Sequence, residues 1–173
     1  MTSNMLIMSF HATLIAAAPI LYASIGAVFS ERSGISNLGI EGIMLMGAVS
    51  GFIAAVRTSS LTGAILSVIL IGIVIGLTYA FLTVSLQANQ IVCGLALTIF
   101  GQGLSGFLGS KVSGITAPLN IQEINIPLLS DIPVVGTILF HHDIFIYALY
   151  VIVPLSYLYL YKSKPGLSLR AVG

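Results

Sequence analysis

Between positions 58 and 110 the chain runs for 53 residues without one aspartate, glutamate, lysine or arginine. A helix needs only about 20 apolar residues to cross the hydrocarbon of a bilayer, so this stretch holds two crossings and a tight turn. Gln87, Ala88, Asn89 and Gln90 form the polar cluster available for the turn, which places one span at 61–86 and the next at 91–108. The rest of the chain has the same character: 57% of residues are hydrophobic and 6% are charged, where a soluble domain carries about 25% charged residues. Mean hydropathy is +1.10. The chain is therefore an integral membrane protein, with membrane lipid as the solvent of its outer faces. A formal net charge of +1, with no basic cluster, leaves nothing to neutralise a phosphate backbone and excludes a nucleic-acid partner.

Three further spans complete an all-α, polytopic membrane helix bundle of about five transmembrane helices. Residues 1–30 carry no charge and form span one, with Pro19 expected to kink it. Thr2, Ser3 and Asn4 supply none of the positive charge a signal peptide needs, so Ala16, Ala17 and Ala18 do not read as a cleavage site. His11, alone in an apolar helix, reads as locally satisfied. Span two runs over 38–56 and ends near Arg57. Span five covers 144–161, with Tyr147, Tyr150, Tyr157, Tyr159 and Tyr161 gathered towards its ends as interface anchors.

Glycines punctuate these spans. Gly47 and Gly51 in span two, and Gly72 and Gly76 in span three, have the spacing that lets helix backbones approach closely. Gly94, Gly101, Gly103, Gly106 and Gly109 crowd span four, where helix packing explains them better than a substrate does. Cys93 stands alone, which excludes an internal disulfide and a cysteine metal site and leaves it a small packed residue.

Residues 110–142 break the pattern. Pro118, Pro127 and Pro133 fall among Asn120, Gln122, Glu123, Asn125 and Asp131, so a continuous helix is excluded and a surface loop with short helical pieces is predicted. Its apolar members Ile126, Leu128, Leu129, Val134 and Val135 are expected to pack on the membrane surface or on a partner. His141, His142 and Asp143 form a weak metal pattern, and Asp143 is better explained as the N-cap of the next helix. Lys162, Lys164 and Arg170 follow the last span. With Arg32 they outnumber Arg57 and Lys111 on the opposite side, so the positive-inside rule makes the tail cytoplasmic and both the N-terminus and the 110–142 loop external.

Residues 31–42, ERSGISNLGIEG, interrupt the apolar spans. An acid at bilayer depth costs roughly 2.5–3.5 kcal/mol on insertion scales and normally faces a cavity or a partner. Gly34, Gly39 and Gly42 suit a helix that breaks and restarts, so the stretch reads as a polar hinge. Two readings of Asn37 and Glu41 are open: one, implied by the resemblance given below, has them hydrogen-bond a substrate with Thr98 and Gln102 of span four as further contacts, and the other has them serve the helix itself. In the second reading Asn37 caps the restarting helix and Glu41 sits in its first turn, where a carboxylate gains about 0.3–1 kcal/mol.

No Walker A loop, G-x-S-x-G or H-E-x-x-H occurs, so the chain is not read as an enzyme, and no cofactor or metal is expected. The segments Glu31-Arg32-Ser33-Gly34, Asn37-Leu38-Gly39-Ile40-Glu41-Gly42 and Met44-Leu45 resemble the signature of permease subunits of ABC importers for nucleosides and simple sugars. These are relatives of the branched-chain amino-acid and ribose permeases. The likeness continues through Asn89-Gln90-Ile91-Val92, Gly94-Leu95-Ala96-Leu97, Ile126-Pro127-Leu128-Leu129, Ile132-Pro133, Gly166-Leu167 and Leu169-Arg170-Ala171-Val172-Gly173.

The resemblance implies one transmembrane permease domain over 1–173. Its partners would be a cytoplasmic ATP-binding subunit and an external substrate-binding lipoprotein. Residues 162–173 would begin the coupling segment that docks on the ATPase, through Gly166, Leu167 and Arg170. It further implies an incomplete permease, either truncated or closed by a second permease subunit. The competing reading from the residues alone is a secondary transporter or channel that uses the 31–42 hinge without an ATPase.

Overall fold

The computed structural model describes residues 3–117, 119–125 and 134–173. Five long helices carry the fold: α1 (Ser3–Arg32), α2 (Ile40–Thr58), α3 (Leu61–Ala80), α4 (Gln90–Ser110) and α6 (Ile144–Lys162). All five are long and apolar enough to cross a membrane, in agreement with the expected spans. Two short helices, α5 (Val135–Leu139) and α7 (Lys164–Val172), and one two-residue antiparallel pairing of β1 (Ile124–Asn125) with β2 (His141–His142) complete the described elements. Pro19 and Pro154 lie inside continuous helices.

Side chains at the helix boundaries supply the missing backbone partners. The α2–α3 turn is made by Ser59 in a left-handed conformation, φ 49°, and by Ser60, whose Oγ accepts from the Gly63 amide at 3.5 Å. α3 widens into one π-helical turn, Phe81–Ser85. The predicted polar turn follows, ending at Asn89, whose Oδ1 accepts from the amides of Ile91 at 3.0 Å and Val92 at 3.2 Å. Asp143 caps α6 through the Phe145 and Ile146 amides at 2.9 and 3.1 Å. Each cap replaces an intrahelical bond that a helix start lacks and contributes about 1 kcal/mol.

The chain divides into two compact units, one formed by Gly34–Asn120 and the other by Met1–Ser33 with Ile121–Gly173. In the first, α2 packs on α3 and α4. A Cβ at Gly51 would lie 2.7 Å from Val68 Cγ2, and one at Gly47 would lie 3.7 Å from Val68 Cγ1, so this pair brings α2 against α3. Gly72, Gly76, Gly103 and Gly106 have the same sequence appearance but nothing within 4 Å. Among the described residues these four bring no pair of helices into close contact.

In the second unit α1 packs on α6 around Ala18, Ile146 and Leu149, with Tyr22 and Ile25 against them. The Tyr22 hydroxyl donates to the Phe145 carbonyl at 2.7 Å. His11 is not satisfied locally, contrary to expectation. Its Nε2 donates to the His141 carbonyl at 2.7 Å, and its ring stacks on buried His142 at 4.6 Å between centroids. α5 is a short helical piece of the kind expected in the loop. Pro118 and residues 126–133, which include the Ile126-Pro127-Leu128-Leu129 and Ile132-Pro133 segments, lie outside the described residues.

Candidate functional site

The polar stretch is non-helical between Arg32 and Ile40. The Ser33 amide donates to the Ser30 carbonyl at 3.0 Å and ends α1. Gly34 then turns the chain at φ 79°, a conformation that only glycine takes without penalty. The Ser36 amide donates to Gln90 Oε1 at 2.8 Å, at the start of α4. Its carbonyl accepts from the Tyr79 hydroxyl of α3 at 2.9 Å, and the same hydroxyl lies 3.2 Å from the Gln90 carbonyl. Tyr79 is buried. One hydroxyl hydrogen is thus shared by two carbonyls, and it ties the chain ahead of α2 to the beginning of α4.

Asn37 Oδ1 accepts from the Gly39 amide at 2.8 Å, a side-chain turn of the kind that asparagine makes two residues ahead of itself. The N-cap of α2 is Gly39, without a side-chain cap bond. Asn37 therefore shapes the approach to α2 and does not cap it, which corrects that part of the sequence reading. Glu41 does lie in the first turn of α2.

The start of α2 lies backbone to backbone on α4. A Cβ at Gly94 would come within 2.8 Å of the Leu38 amide nitrogen, one at Gly42 within 2.5 Å of the Leu97 carbonyl oxygen, and one at Gly39 within 2.8 Å of Leu97 Cδ2. The Thr98 hydroxyl donates to the Leu38 carbonyl at 2.9 Å across this contact. Beyond it, Gln102 Nε2 reaches Glu41 Oε1 at 3.5 Å. Asn37, Gly39, Glu41, Gly42, Thr98 and Gln102 are therefore brought together on one α2–α4 seam.

Glu41 and Gln102 are exposed side chains. An ionised carboxylate offers acceptors only, whereas an amide offers both donors and acceptors, so the pair can engage a hydroxyl-rich or N–H-bearing solute. Among the described residues no group of three or more His, Cys, Asp or Glu side chains is placed to hold a metal ion.

Gly166, Leu167 and Arg170 belong to the other unit, on α7. Ser163 Oγ caps this helix, accepting from the Gly166 amide at 3.1 Å. Gly166 presses on the Tyr159 and Leu160 backbone of α6, where a Cβ would have no room. Leu167 is 61% exposed. The Arg170 guanidinium lies 5.1 Å from the centre of the Tyr161 ring, and Arg32 lies 5.6 Å from the same ring.

Tyr79 and the long-range partner of His11 escaped the sequence reading. A tyrosine inside an apolar span carries no local sign of a hydroxyl partner 43 residues away. Gln90 was legible as a turn residue but not as the acceptor for Ser36.

Residues 9–173 match a family described as branched-chain amino acid transport system, permease component. The nucleoside ABC transporter permease protein of Lactococcus lactis subsp. cremoris is 39% identical over 171 residues, 92% of this chain and 54% of that protein. A protein named provisionally as a glucose ABC transporter permease in Haloferax volcanii is 36% identical over 169 residues, 94% of this chain and 50% of its own length. The guanosine ABC transporter permease protein of Bacillus subtilis is 33% identical over 174 residues, 94% of this chain and 54% of that protein. The chain thus spans about half the length of the curated relatives it matches. No solved structure matches it. With five membrane-length helices and a family match over nearly its whole length, the chain is a multi-pass membrane protein that belongs to the branched-chain amino acid transport system permease family.

Proposed function

We propose that the chain is a transmembrane permease subunit of an ATP-driven importer, passing a nucleoside or simple sugar from an external binding lipoprotein across the cytoplasmic membrane. The observation that carries this reading is the likeness, over more than nine-tenths of the chain, to proteins named as nucleoside, guanosine and glucose ABC transporter permeases. The α2–α4 seam suits such cargo. Glu41 and Gln102 supply acceptors and donors for a ribose or sugar diol or for a base N–H, while Asn37, Thr98, Gly39 and Gly42 hold the backbone beneath them.

In this reading the non-helical 33–39 segment is the hinge through which α2 moves during transport. Further permease spans, from a second permease subunit, enclose the exposed seam. A separate cytoplasmic ATP-binding subunit hydrolyses ATP and meets α7 through exposed Leu167, with Gly166 and Arg170 fixing the pose of α7 on α6. The N-terminus is external and the tail is cytoplasmic, as the charge balance of the ends favours.

The test is uptake of labelled guanosine and labelled glucose into proteoliposomes holding the chain with its cognate permease partner, ATPase and binding protein. Uptake of one of them that depends on both ATP and the binding protein is expected. Equal uptake without ATP would overturn the proposal.

A further inference from the structure

We infer that the α1–α6 face of this chain holds one anionic phospholipid, its acyl chain in a groove between the two helices and its phosphate at Arg32 and Arg170. Two apolar hollows of about 250 and 260 Å³ run along α1 and α6 and share Leu21 and Val153, so they form one continuous groove. The second hollow ends at Tyr161. Over that ring stand both guanidiniums, Arg32 at 5.6 Å and Arg170 at 5.1 Å from its centre.

The basic end of the groove is unbalanced. Two positive charges lie against one ring, and among the described residues no carboxylate forms a salt bridge with either. Arg170 Nε is buried with no hydrogen-bond partner and is closed to an outside ligand, so a headgroup meets Arg170 through its terminal guanidinium nitrogens. Placement of Arg32 in the last turn of α1 favours that helix by itself, but this does not satisfy Arg170. A phosphodiester supplies one negative charge and several acceptor oxygens, which guanidinium groups bind well. Basic pockets between transmembrane helices take anionic headgroups for this reason. A free phosphate would answer the charge but leave the apolar groove uncovered, whereas a phospholipid answers both.

This assignment shares Arg170 with the α7 contact proposed for the ATPase, but its test reads bound lipid and needs neither Glu41 nor an ATPase. The test uses the full chain purified in detergent and incubated with equal amounts of phosphatidylglycerol and phosphatidylcholine, with co-purified lipid quantified by mass spectrometry. Preferential retention of phosphatidylglycerol is expected, falling on the order of fivefold for each of Arg32→Gln and Arg170→Gln. Arg170→Lys should keep part of the preference. Val153→Trp, which fills the groove and leaves the charges in place, should lower retention of phosphatidylglycerol, and it decides the matter should an arginine variant misfold. Retention without headgroup preference, an unchanged preference in the double glutamine variant, or full retention in Val153→Trp would each overturn the assignment. So would loss of the bound lipid to millimolar inorganic phosphate, which would show a simple anion site.

Discussion

A Cβ at Gly101 would lie 2.5 Å from the carbonyl oxygen of Gly42 and 2.6 Å from its Cα. α2 and α4 therefore meet at a point where neither has a side chain, and the Glu41–Gln102 contact depends on that closeness. We predict that Gly101→Ala forces the helices apart and destabilises the fold by about 1–3 kcal/mol, as overpacking does. Gly103→Ala, two positions away in open space, should be neutral or slightly stabilising. Unfolding of the purified chain in mixed detergent micelles compares the two. Equal effects would show that the contact does not hold the seam together.

Tyr79→Phe keeps the ring and removes only the hydroxyl shared by the Ser36 and Gln90 carbonyls. A loss of about 1 kcal/mol in stability is expected, with faster amide hydrogen exchange confined to the 33–39 segment and the start of α4. Unaltered exchange at Ser36 would show that the hydroxyl does not fasten this segment.

Glu41 separates two roles. If it serves transport, Glu41→Ala should lower uptake per assembled complex by roughly tenfold or more, the scale of one hydrogen bond to a charged group, with assembly nearly intact. If it serves only the first turn of α2, the loss should appear as about 0.3–1 kcal/mol of stability, with normal uptake by the complexes that remain. Assembly and uptake must be measured on the same preparation.

Orientation is open to direct measurement. In a Cys93→Ser background, a cysteine at Ser113 should react with a membrane-impermeant thiol reagent added outside intact cells, and one at Ser168 should react only after the membrane is opened. Labelling of Ser168 from outside would reverse the proposed topology.

The five crossings were legible because each is a long apolar run, and two of them open at residues with a specific end chemistry, Asn89 and Asp143. Those side chains act within three residues of themselves, so a linear reading can find them. The seam was legible in its members but not in its contacts. Gly94 and Gly101 look no different in sequence from Gly103 and Gly106, yet only the first pair meets a neighbouring backbone. That distinction depends on which face of α4 turns towards α2, and span four is too uniformly apolar to declare it. The capping alternative for Asn37 fails for a related reason: the helix begins at Ile40, leaving its side chain to a turn at Gly39. The stacking of His11 on His142 spans most of the chain, and no local pattern announces a partner so remote.

The division of the chain at Ser33 also orders events during biosynthesis. α2, α3 and α4 are consecutive, so they can pack on one another soon after each leaves the ribosome. The partner of α1 is α6, and the whole of Gly34–Asn120 is made before it. At about 5–20 residues per second, α1 waits several seconds in the membrane before α6 arrives. During that interval the Tyr22 hydroxyl and the His11 ring lack the Phe145, His141 and His142 partners that they meet in the folded chain.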